Sequence, residues 1–214
     1  EVTKLLEAGA FDGPKPVRLL TRLLTLANLK NDSIVLDFFS GSATTAHAVM
    51  EINASNAKHI KYITVQLPEI CDENGTAFKA GYKNICEIGK ERMRRAGEKI
   101  KEENPLTTQD LDIGFRVLKL DDTNMKDVYY AADEYEQGNL MDMVSNIKED
   151  RTDLDLLFGC LLDWGVPLSM PYTSEQIDGC TVHTYNNGDL IACFDANVPE
   201  SVVKEIAKRK PLRA

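Results

Sequence analysis

The feature that most constrains the fold is residues 34–50, IVLDFFSGSATTAHAVM. Residues 34–39 are apolar except for Asp37, which predicts a strand buried on both faces. Residues 40–43 are all small, and such a cluster allows a sharp turn and the close approach of a ligand. Apolar and small residues then recur at helical spacing over 46–53. Strand, small-residue loop and helix predict the first unit of a nucleotide-cofactor fold, with a ligand at the helix N-terminus.

The loop narrows the class of cofactor. It contains no lysine, so the Gly-Lys-Ser/Thr ending of a P-loop is absent. Gly41 is its single glycine, whereas the dinucleotide fingerprint needs three, so NAD is weakly supported. The Gly-x-Ser-x-Gly elbow of hydrolases is also missing. Ser42 or Thr44 is expected to cap the helix that follows.

Residues 37–45, Asp-Phe-Phe-Ser-Gly-Ser-Ala-Thr-Thr, resemble the S-adenosylmethionine-binding motif of amino-methyltransferases that act on DNA, usually Asp-x-Phe-x-Gly-Ser-Gly-Thr-Thr. Ala43 stands where that family usually has a second glycine. Alanine tolerates the same helix-entry dihedrals but not a positive φ, so we expect the departure to be mild. The resemblance implies S-adenosylmethionine as the cofactor.

Two helices are predicted before this motif. Residues 2–10 have a short amphipathic pattern, and apolar residues recur over 17–27. Pro14 and Pro16 suit the start of the second helix, where their missing N–H groups cost nothing.

A Lys-Pro element precedes the cofactor motif in one permuted class of DNA amino-methyltransferases, where it covers the methionine end of S-adenosylmethionine. Lys15 and Pro16 match that element by their place some twenty residues before Asp37. The resemblance implies that both residues contact the cofactor, with Phe11 packing beside them.

A second strand is predicted over residues 60–67, giving a βαβ unit with a right-handed crossover. At its end a nucleoside-binding fold usually places a carboxylate on the ribose hydroxyls. Gln66 or Glu69 could fill that role, and Gln-Leu-Pro-Glu resembles the version found in type III restriction–modification methyltransferases. The alternative is a strand end with a solvated glutamate.

Residues 80–103 predict an amphipathic helix with a basic outer face. Its cations are Lys90, Arg92, Arg94, Arg95, Lys99 and Lys101. They could meet a DNA backbone or an acidic surface, but a solvated helix with i,i+4 ion pairs is favoured. A third strand is predicted over 115–120, and residues 84–96 and 114–121 also resemble type III modification subunits.

Net charge is −9, which is unfavourable for contacts with DNA phosphates. Residues 121–150 hold nine acidic residues against two lysines, so the acidity is local. Residues 151–214 predict a small α/β unit with two helices and a hairpin around Asn186-Asn-Gly188. Residues 211–214 resemble the start of a further strand.

Five cysteines occur without a C-x-x-C pair, which argues against a zinc site, and no metal ligand is predicted. Scattered thiols fit a reducing compartment, so we expect a cytoplasmic protein. No apolar run approaches the ~18 residues of a membrane span, so no membrane partner is expected. Glu1 is not a natural start, so the chain is expected to be part of a longer protein.

No catalytic residue can be assigned. Methylation of an exocyclic amine needs positioning and dipoles rather than a covalent nucleophile, and the family uses an Asp/Asn/Ser-Pro-Pro-Tyr/Phe motif that also stacks on a flipped base. Residues 169–172, Ser-Met-Pro-Tyr, lack the first proline and lie in the wrong segment. No cysteine follows a proline, which excludes cytosine C5 methylation. In the permuted class the catalytic motif and target-recognition region precede the Lys-Pro element.

The expected fold is therefore α/β, a Rossmann-like methyltransferase fold with a partial parallel sheet and a small C-terminal α/β unit. The expected segments are a helical Lys-Pro element (1–31), the cofactor-binding half (32–120), an acidic connection (121–150) and the C-terminal unit (151–214). The residues expected to bind S-adenosylmethionine are Lys15, Pro16, Asp37, Phe38, Phe39, Ser40, Gly41, Ser42, Ala43, Thr44, Thr45, Gln66 and Glu69.

The expected function is the cofactor-binding portion of a type III DNA adenine-N6 methyltransferase that is inactive on its own. The resemblance implies duplex DNA, a restriction subunit and a second modification subunit as partners of the longer protein. Two alternatives stay open. One is a methyltransferase for another amine substrate such as RNA, and the other is a non-catalytic interaction module that docks through its acidic segment.

Overall fold

The computed structural model describes residues 5–6, 9–126 and 146–214. It divides into two compact units, Glu1–Phe115 and Arg116–Ala214, called here the N-terminal and C-terminal units. The N-terminal unit contains a two-stranded sheet and the C-terminal unit a three-stranded sheet. The expected α/β class is confirmed at this level.

The N-terminal unit contains the predicted βαβ unit. Its elements are α1 (Val17–Leu26), β1 (Ile34–Asp37), α2 (Thr44–Asn56), β2 (Lys61–Thr64), α3 (Thr76–Lys79) and α4 (Ile85–Glu103). Strands β1 and β2 pair in parallel, with Ile34 opposite Lys61 and Asp37 opposite Thr64. Strand β2 is shorter than the predicted 60–67, although the Val65 amide still donates to the Asp37 carbonyl at 2.8 Å.

The sheet of β1 and β2 is covered on one face. Val35 and Tyr62 pack against a core that includes Val49 of α2. On the opposite face Ile34 is 60% exposed and Leu36 58% exposed. The prediction that β1 is buried on both faces is therefore wrong for the described residues, since none of their elements covers this second face.

Helix α2 packs its predicted apolar positions into the core, and Ala46, Val49 and Met50 are buried. Its N-cap residue is Ala43, and no side chain caps the helix. Capping by Ser42 or Thr44 is therefore wrong, because both hydroxyls accept hydrogen bonds from an arginine of α4.

Helix α4 begins after Asn84, whose side chain accepts a hydrogen bond from the Glu87 amide at 3.1 Å. Four cations of its outer face lie in ion pairs along the helix, namely Lys90 with Glu87, Arg94 and Arg95 with Glu91, and Lys99 with Glu103. Arg92 lies instead in the interior, so its placement on the basic outer face is wrong. The paired surface favours the interpretation of α4 as a solvated helix.

The third strand predicted over 115–120 is not formed, since residues 111–121 have no regular secondary structure. This segment instead follows α4. Ile113 and Phe115 pack against the core of the N-terminal unit, and the Arg94 guanidinium lies 5.7 Å from the centre of the Phe115 ring. Val117, Leu118 and Leu120, the other apolar residues of the predicted strand, are exposed, so the alternating pattern does not lead to strand pairing.

The C-terminal unit is a three-stranded antiparallel sheet with two helices. Its elements are α5 (Asp153–Asp163), β3 (Tyr172–Ile177), β4 (Cys180–Tyr185), β5 (Leu190–Ala192) and α6 (Glu200–Arg209). The predicted hairpin is confirmed between β4 and β5, and Asn186, Asn187 and Gly188 all have positive φ. Strand β3 was not predicted. Residues 211–214 form no strand, although the Ile191 amide donates to the Arg213 carbonyl.

Two predicted segments lie partly or largely outside the described residues. Of the helix predicted over 2–10, the structure describes residues 5–6 and 9–10, and Leu5, Leu6 and Ala10 are buried. Of the acidic segment, residues 127–145 are outside the description. Within the described chain, no helix is both long and apolar enough to cross a bilayer.

Two glycines of α4 provide a matched test of its packing. A Cβ at Gly97 would lie 2.8 Å from the Ile113 Cβ, whereas the nearest atom to a Cβ at Gly89 is 3.4 Å away. We expect Gly97→Ala to lower the free energy of unfolding by about 1–3 kcal/mol through overpacking. Gly89→Ala should raise it by up to ~1 kcal/mol through helix propensity. Urea denaturation of both variants measures the difference, and equal effects would contradict the packing of Ile113 on α4.

Candidate functional site

A cleft of about 530 Å³ opens at the carboxyl end of β1. Eight predicted cofactor residues line it, namely Lys15, Asp37, Phe39, Ser40, Gly41, Ser42, Thr44 and Thr45. Phe11, Asp12, Gly13, Leu20 and Leu36 complete the lining. The loop after β1 and the segment before α1 therefore meet at one cavity, although more than twenty residues separate them in sequence.

Asp37 connects the strand to the helix. One carboxylate oxygen accepts a hydrogen bond from the Thr45 hydroxyl at 2.5 Å, and the other accepts from the Phe39 amide at 3.2 Å. Bonds to an ionised carboxylate are stronger than those between neutral groups. The strand's acidic residue thus fixes both the beginning of the loop and the first turn of α2.

The loop passes through the left-handed region twice. Gly41 has φ of 51° and Ala43 has φ of 58°. A Cβ on Gly41 would lie 3.3 Å from the Phe11 ring, so glycine also allows close packing there. The expectation of a mild departure at Ala43 is wrong, because a left-handed residue other than glycine costs roughly 1–2 kcal/mol.

Arg92 of α4 stabilises this loop through hydrogen bonds from the interior of the N-terminal unit. Its side chain is 0% exposed, and one terminal nitrogen donates to the Ser42 hydroxyl at 2.7 Å and the Thr44 hydroxyl at 2.6 Å. The same nitrogen lies 3.3 Å from the Ser42 carbonyl, which accepts a third bond. The sequence did contain a signal for this role, since Arg92 lies four residues from both Ile88 and Ala96 on the apolar face of the helix.

Gln66 supports the loop from the end of β2. Its side-chain oxygen accepts a hydrogen bond from the Gly41 amide at 2.7 Å. The backbone carbonyl of Gln66 accepts a hydrogen bond from the Cys86 thiol at 3.5 Å. Burial raises the pKa of that thiol, which favours the protonated form that donates. Gln66 therefore contacts the loop backbone and is not part of the cleft lining.

The other predicted residues do not line the cleft. Phe38 packs against Phe39 with ring centres 5.1 Å apart, and Pro16 is the N-cap residue of α1. Ala43 belongs to the loop itself, and its side chain is buried. Glu69 is exposed, and its backbone carbonyl accepts a hydrogen bond from the Ile85 amide at 2.9 Å.

The cleft offers mixed chemistry for a ligand. Phe39 is 79% exposed and Phe11, Leu20 and Leu36 add apolar surface. Lys15 supplies a cation and Asp12 an anion. A few polar groups among apolar side chains, in a cavity of this volume, are typical of small-molecule sites.

Residues 2–98 match the family model for N6/N4 DNA methylases, described as "DNA methylase". The Mod subunit of the type III restriction–modification enzyme StyLTI from Salmonella typhimurium is 42% identical over 116 residues, which cover 54% of this chain and 17% of that protein. The EcoPI Mod subunit of Escherichia phage P1 is 34% identical over 192 residues, covering 89% of this chain and 28% of that protein.

The EcoP15I Mod subunit of Escherichia coli is also 34% identical, over 177 residues that cover 81% of this chain and 25% of that protein. This chain is Mod-like. The predicted resemblance to type III modification methyltransferases is therefore confirmed, and such a family implies a methyl donor of the S-adenosylmethionine type. The chain spans less than a third of the length of these Mod subunits.

The structural role of Arg92 can be tested against its neighbour Arg94. Arg92→Met removes three hydrogen bonds and leaves the Ser42 and Thr44 hydroxyls without their buried donor. We expect it to lower the free energy of unfolding by about 3 kcal/mol or more, given ~1.5–3 kcal/mol for a bond to a charged group. Arg94→Met, which removes an exposed ion pair with Glu91 and the contact with the Phe115 ring, should cost about 1 kcal/mol. Chemical denaturation checks both values, and similar losses would count against a special role for Arg92.

Proposed function

We propose that this chain is the S-adenosylmethionine-binding portion of a DNA adenine-N6 methyltransferase of a type III restriction–modification system. The observation that carries the proposal is the cleft at the end of β1, where the residues of the methyltransferase-like motif and Lys15 meet. A ligand at the carboxyl end of a parallel strand, beside a helix N-terminus, follows the general rule for α/β folds.

The residues present fit this cofactor. Phe39 and Phe11 offer aromatic surface to the adenine, and Lys15 offers a cation to the methionine carboxylate. Ser40, Ser42 and Thr44 offer hydroxyls to the polar groups of the ligand, while Gly41 lets the backbone come close. When bound, S-adenosylmethionine supplies an electrophilic methyl group, and the part of these residues is to bind and orient it.

Gln66 and Glu69 remain the proposed partners of the ribose hydroxyls. Gln66 reaches the loop through the Gly41 amide, and its side-chain nitrogen donates to the Leu67 carbonyl at 3.3 Å. Glu69 is exposed after the same strand and keeps its carboxylate available. Glu69 is therefore the better candidate of the two, because the Gln66 side chain already has partners.

The catalytic motif and the target-recognition region are proposed to lie in the rest of a longer protein. The chain lacks the Asp/Asn/Ser-Pro-Pro-Tyr/Phe motif, and the Mod subunits it resembles are much longer. The apolar face of the sheet supports this division, since Ile34, Leu36 and Ile63 are exposed there. We propose that the remaining part of the methyltransferase domain covers this face and extends the sheet.

Contacts with DNA are also assigned to the rest of the protein. Net charge is −9, and the cations of α4 that could meet phosphates are largely paired with glutamates of the same helix. The proposed partners of the longer protein are duplex DNA, a restriction subunit and a second modification subunit. The chain alone is proposed to be catalytically inactive.

Calorimetric titration of S-adenosylhomocysteine into this chain tests the cofactor site. Phe39→Ala should weaken binding by about five- to a hundredfold, as expected for loss of ~1–3 kcal/mol of stacking on a base. Phe78→Ala is the matched control, because Phe78 is an exposed phenylalanine of the N-terminal unit that does not line the cleft. The control should change the dissociation constant less than threefold. Equal effects of the two substitutions would contradict the proposed orientation of the adenine.

Failure of the unaltered chain to bind would be resolved by titrating the full-length parent. Binding in the parent alone would assign part of the pocket to the missing residues, whereas no binding there would favour the non-catalytic interaction module. Incubating the parent with labelled S-adenosylmethionine and either duplex DNA or RNA then separates the two methyltransferase hypotheses. We expect N6-methyladenine in DNA, and label only in RNA would overturn the proposed substrate.

A further inference from the structure

A group of side chains that could ligate a metal ion lies within the C-terminal unit and includes none of the residues that line the cleft. It consists of Cys180, Cys193 and Asp195, and one potential ligand atom from each lies within 4.8 Å of the other two. Cys180 begins β4, while Cys193 and Asp195 follow β5. Because antiparallel pairing brings these ends together, the cluster forms without the C-x-x-C spacing by which zinc sites are usually recognised in sequences.

The carboxylate of the cluster is already held in place. One oxygen of Asp195 accepts a hydrogen bond from the Thr181 amide at 2.8 Å. The same oxygen lies 3.5 Å from the Cys193 sulfur, whose thiol donates to it. A surface aspartate would otherwise sample many rotamers, so this backbone bond reduces the entropy that ligation must overcome.

The two thiols differ in environment. Cys180 is 5% exposed and packs with Val182, Ile191 and Val202 in one apolar cluster. Cys193 packs against the same cluster and is partly exposed, and Asp195 is exposed. The site is therefore apolar on its inner side and open to solvent at Asp195, which gives a metal ion an entry path and room for a water ligand.

We propose that Cys180, Cys193 and Asp195 bind a thiophilic divalent cation of the zinc type. Two sulfurs and one carboxylate oxygen are a donor set that zinc accepts, with water completing a tetrahedron. Sulfurs bound at ~2.3 Å to one tetrahedral ion are about 3.8 Å apart, so small side-chain movements from the present positions are sufficient. The site would join the start of β4 to the chain that leaves β5.

Binding requires both thiols to lose their protons. The cation forms two metal–sulfur bonds, two S–H bonds break, and two protons pass to solvent. Affinity should therefore increase as pH rises, and binding should raise the unfolding temperature, because the ligand set exists in the folded state.

Cadmium titration of the full chain, kept reduced with a phosphine, tests this site. Cd²⁺ gives an ultraviolet charge-transfer band with thiolate ligands, and we expect saturation at one equivalent with an increased unfolding temperature. Cys193→Ser and Cys180→Ala should each reduce the band and weaken binding at least tenfold. Asp195→Asn should retain the band but also weaken binding about tenfold, since it removes the charged oxygen ligand.

Cys160→Ser is the matched control, because Cys160 is another partly buried cysteine that lies on α5 outside the cluster. It should bind Cd²⁺ like the unaltered chain. Circular dichroism of each variant before titration establishes that loss of the band is not loss of folding, and Cys193→Ser is decisive because Cys193 is partly exposed. A band that persists in Cys193→Ser, or no band in the folded, reduced chain, would overturn the proposal.

Discussion

The hydrogen bonds from Arg92 to the loop after β1 are the interaction on which the N-terminal unit depends. The Arg92 side chain is fully buried, and one of its terminal nitrogens donates to the Ser42 hydroxyl, the Ser42 carbonyl and the Thr44 hydroxyl. Helix α4 and the loop are more than forty residues apart in sequence, so neither can reach this arrangement alone. The proposed cofactor loop is therefore formed only when α4 has docked on the βαβ unit.

The same contacts explain how a strained loop persists. Left-handed backbone at Ala43 is costly, and such strain persists only where the surroundings determine the conformation completely. Three elements do so here. Asp37 of β1 holds Thr45, Gln66 after β2 holds the Gly41 amide, and Arg92 of α4 holds the two hydroxyls between them. A strained backbone that is held by contacts from three elements is consistent with a loop whose conformation serves a ligand rather than stability.

Local patterns were sufficient to predict part of this arrangement. The βαβ unit, helix α1 and the Asn-Gly hairpin follow from periodicity and turn chemistry within a few residues, and the structure contains all three. Predictions failed where contacts with residues distant in sequence determine whether a side chain is buried or a segment forms a strand. Arg92 was assigned to a solvated face because arginine is usually exposed. Residues 115–120 alternate like a strand, but Phe115 packs against the core of the N-terminal unit and Val117, Leu118 and Leu120 are exposed. Likewise, the apolar run of β1 could not reveal that one face lacks cover in the described residues.

The distribution of these contacts bears on how the proposed function is divided. Among the described residues, Asp37, Gln66 and Arg92 hold the loop, and all three belong to the N-terminal unit. The exposed Ile34 and Leu36 lie on the same strand that ends at Asp37, so a layer packed on that face would end beside the cleft. We therefore propose that the rest of a longer protein brings the catalytic motif to a loop that is already shaped. In that arrangement cofactor binding can survive separation from catalysis, because the residues that hold the loop belong to this chain and the catalytic motif to the rest of the longer protein.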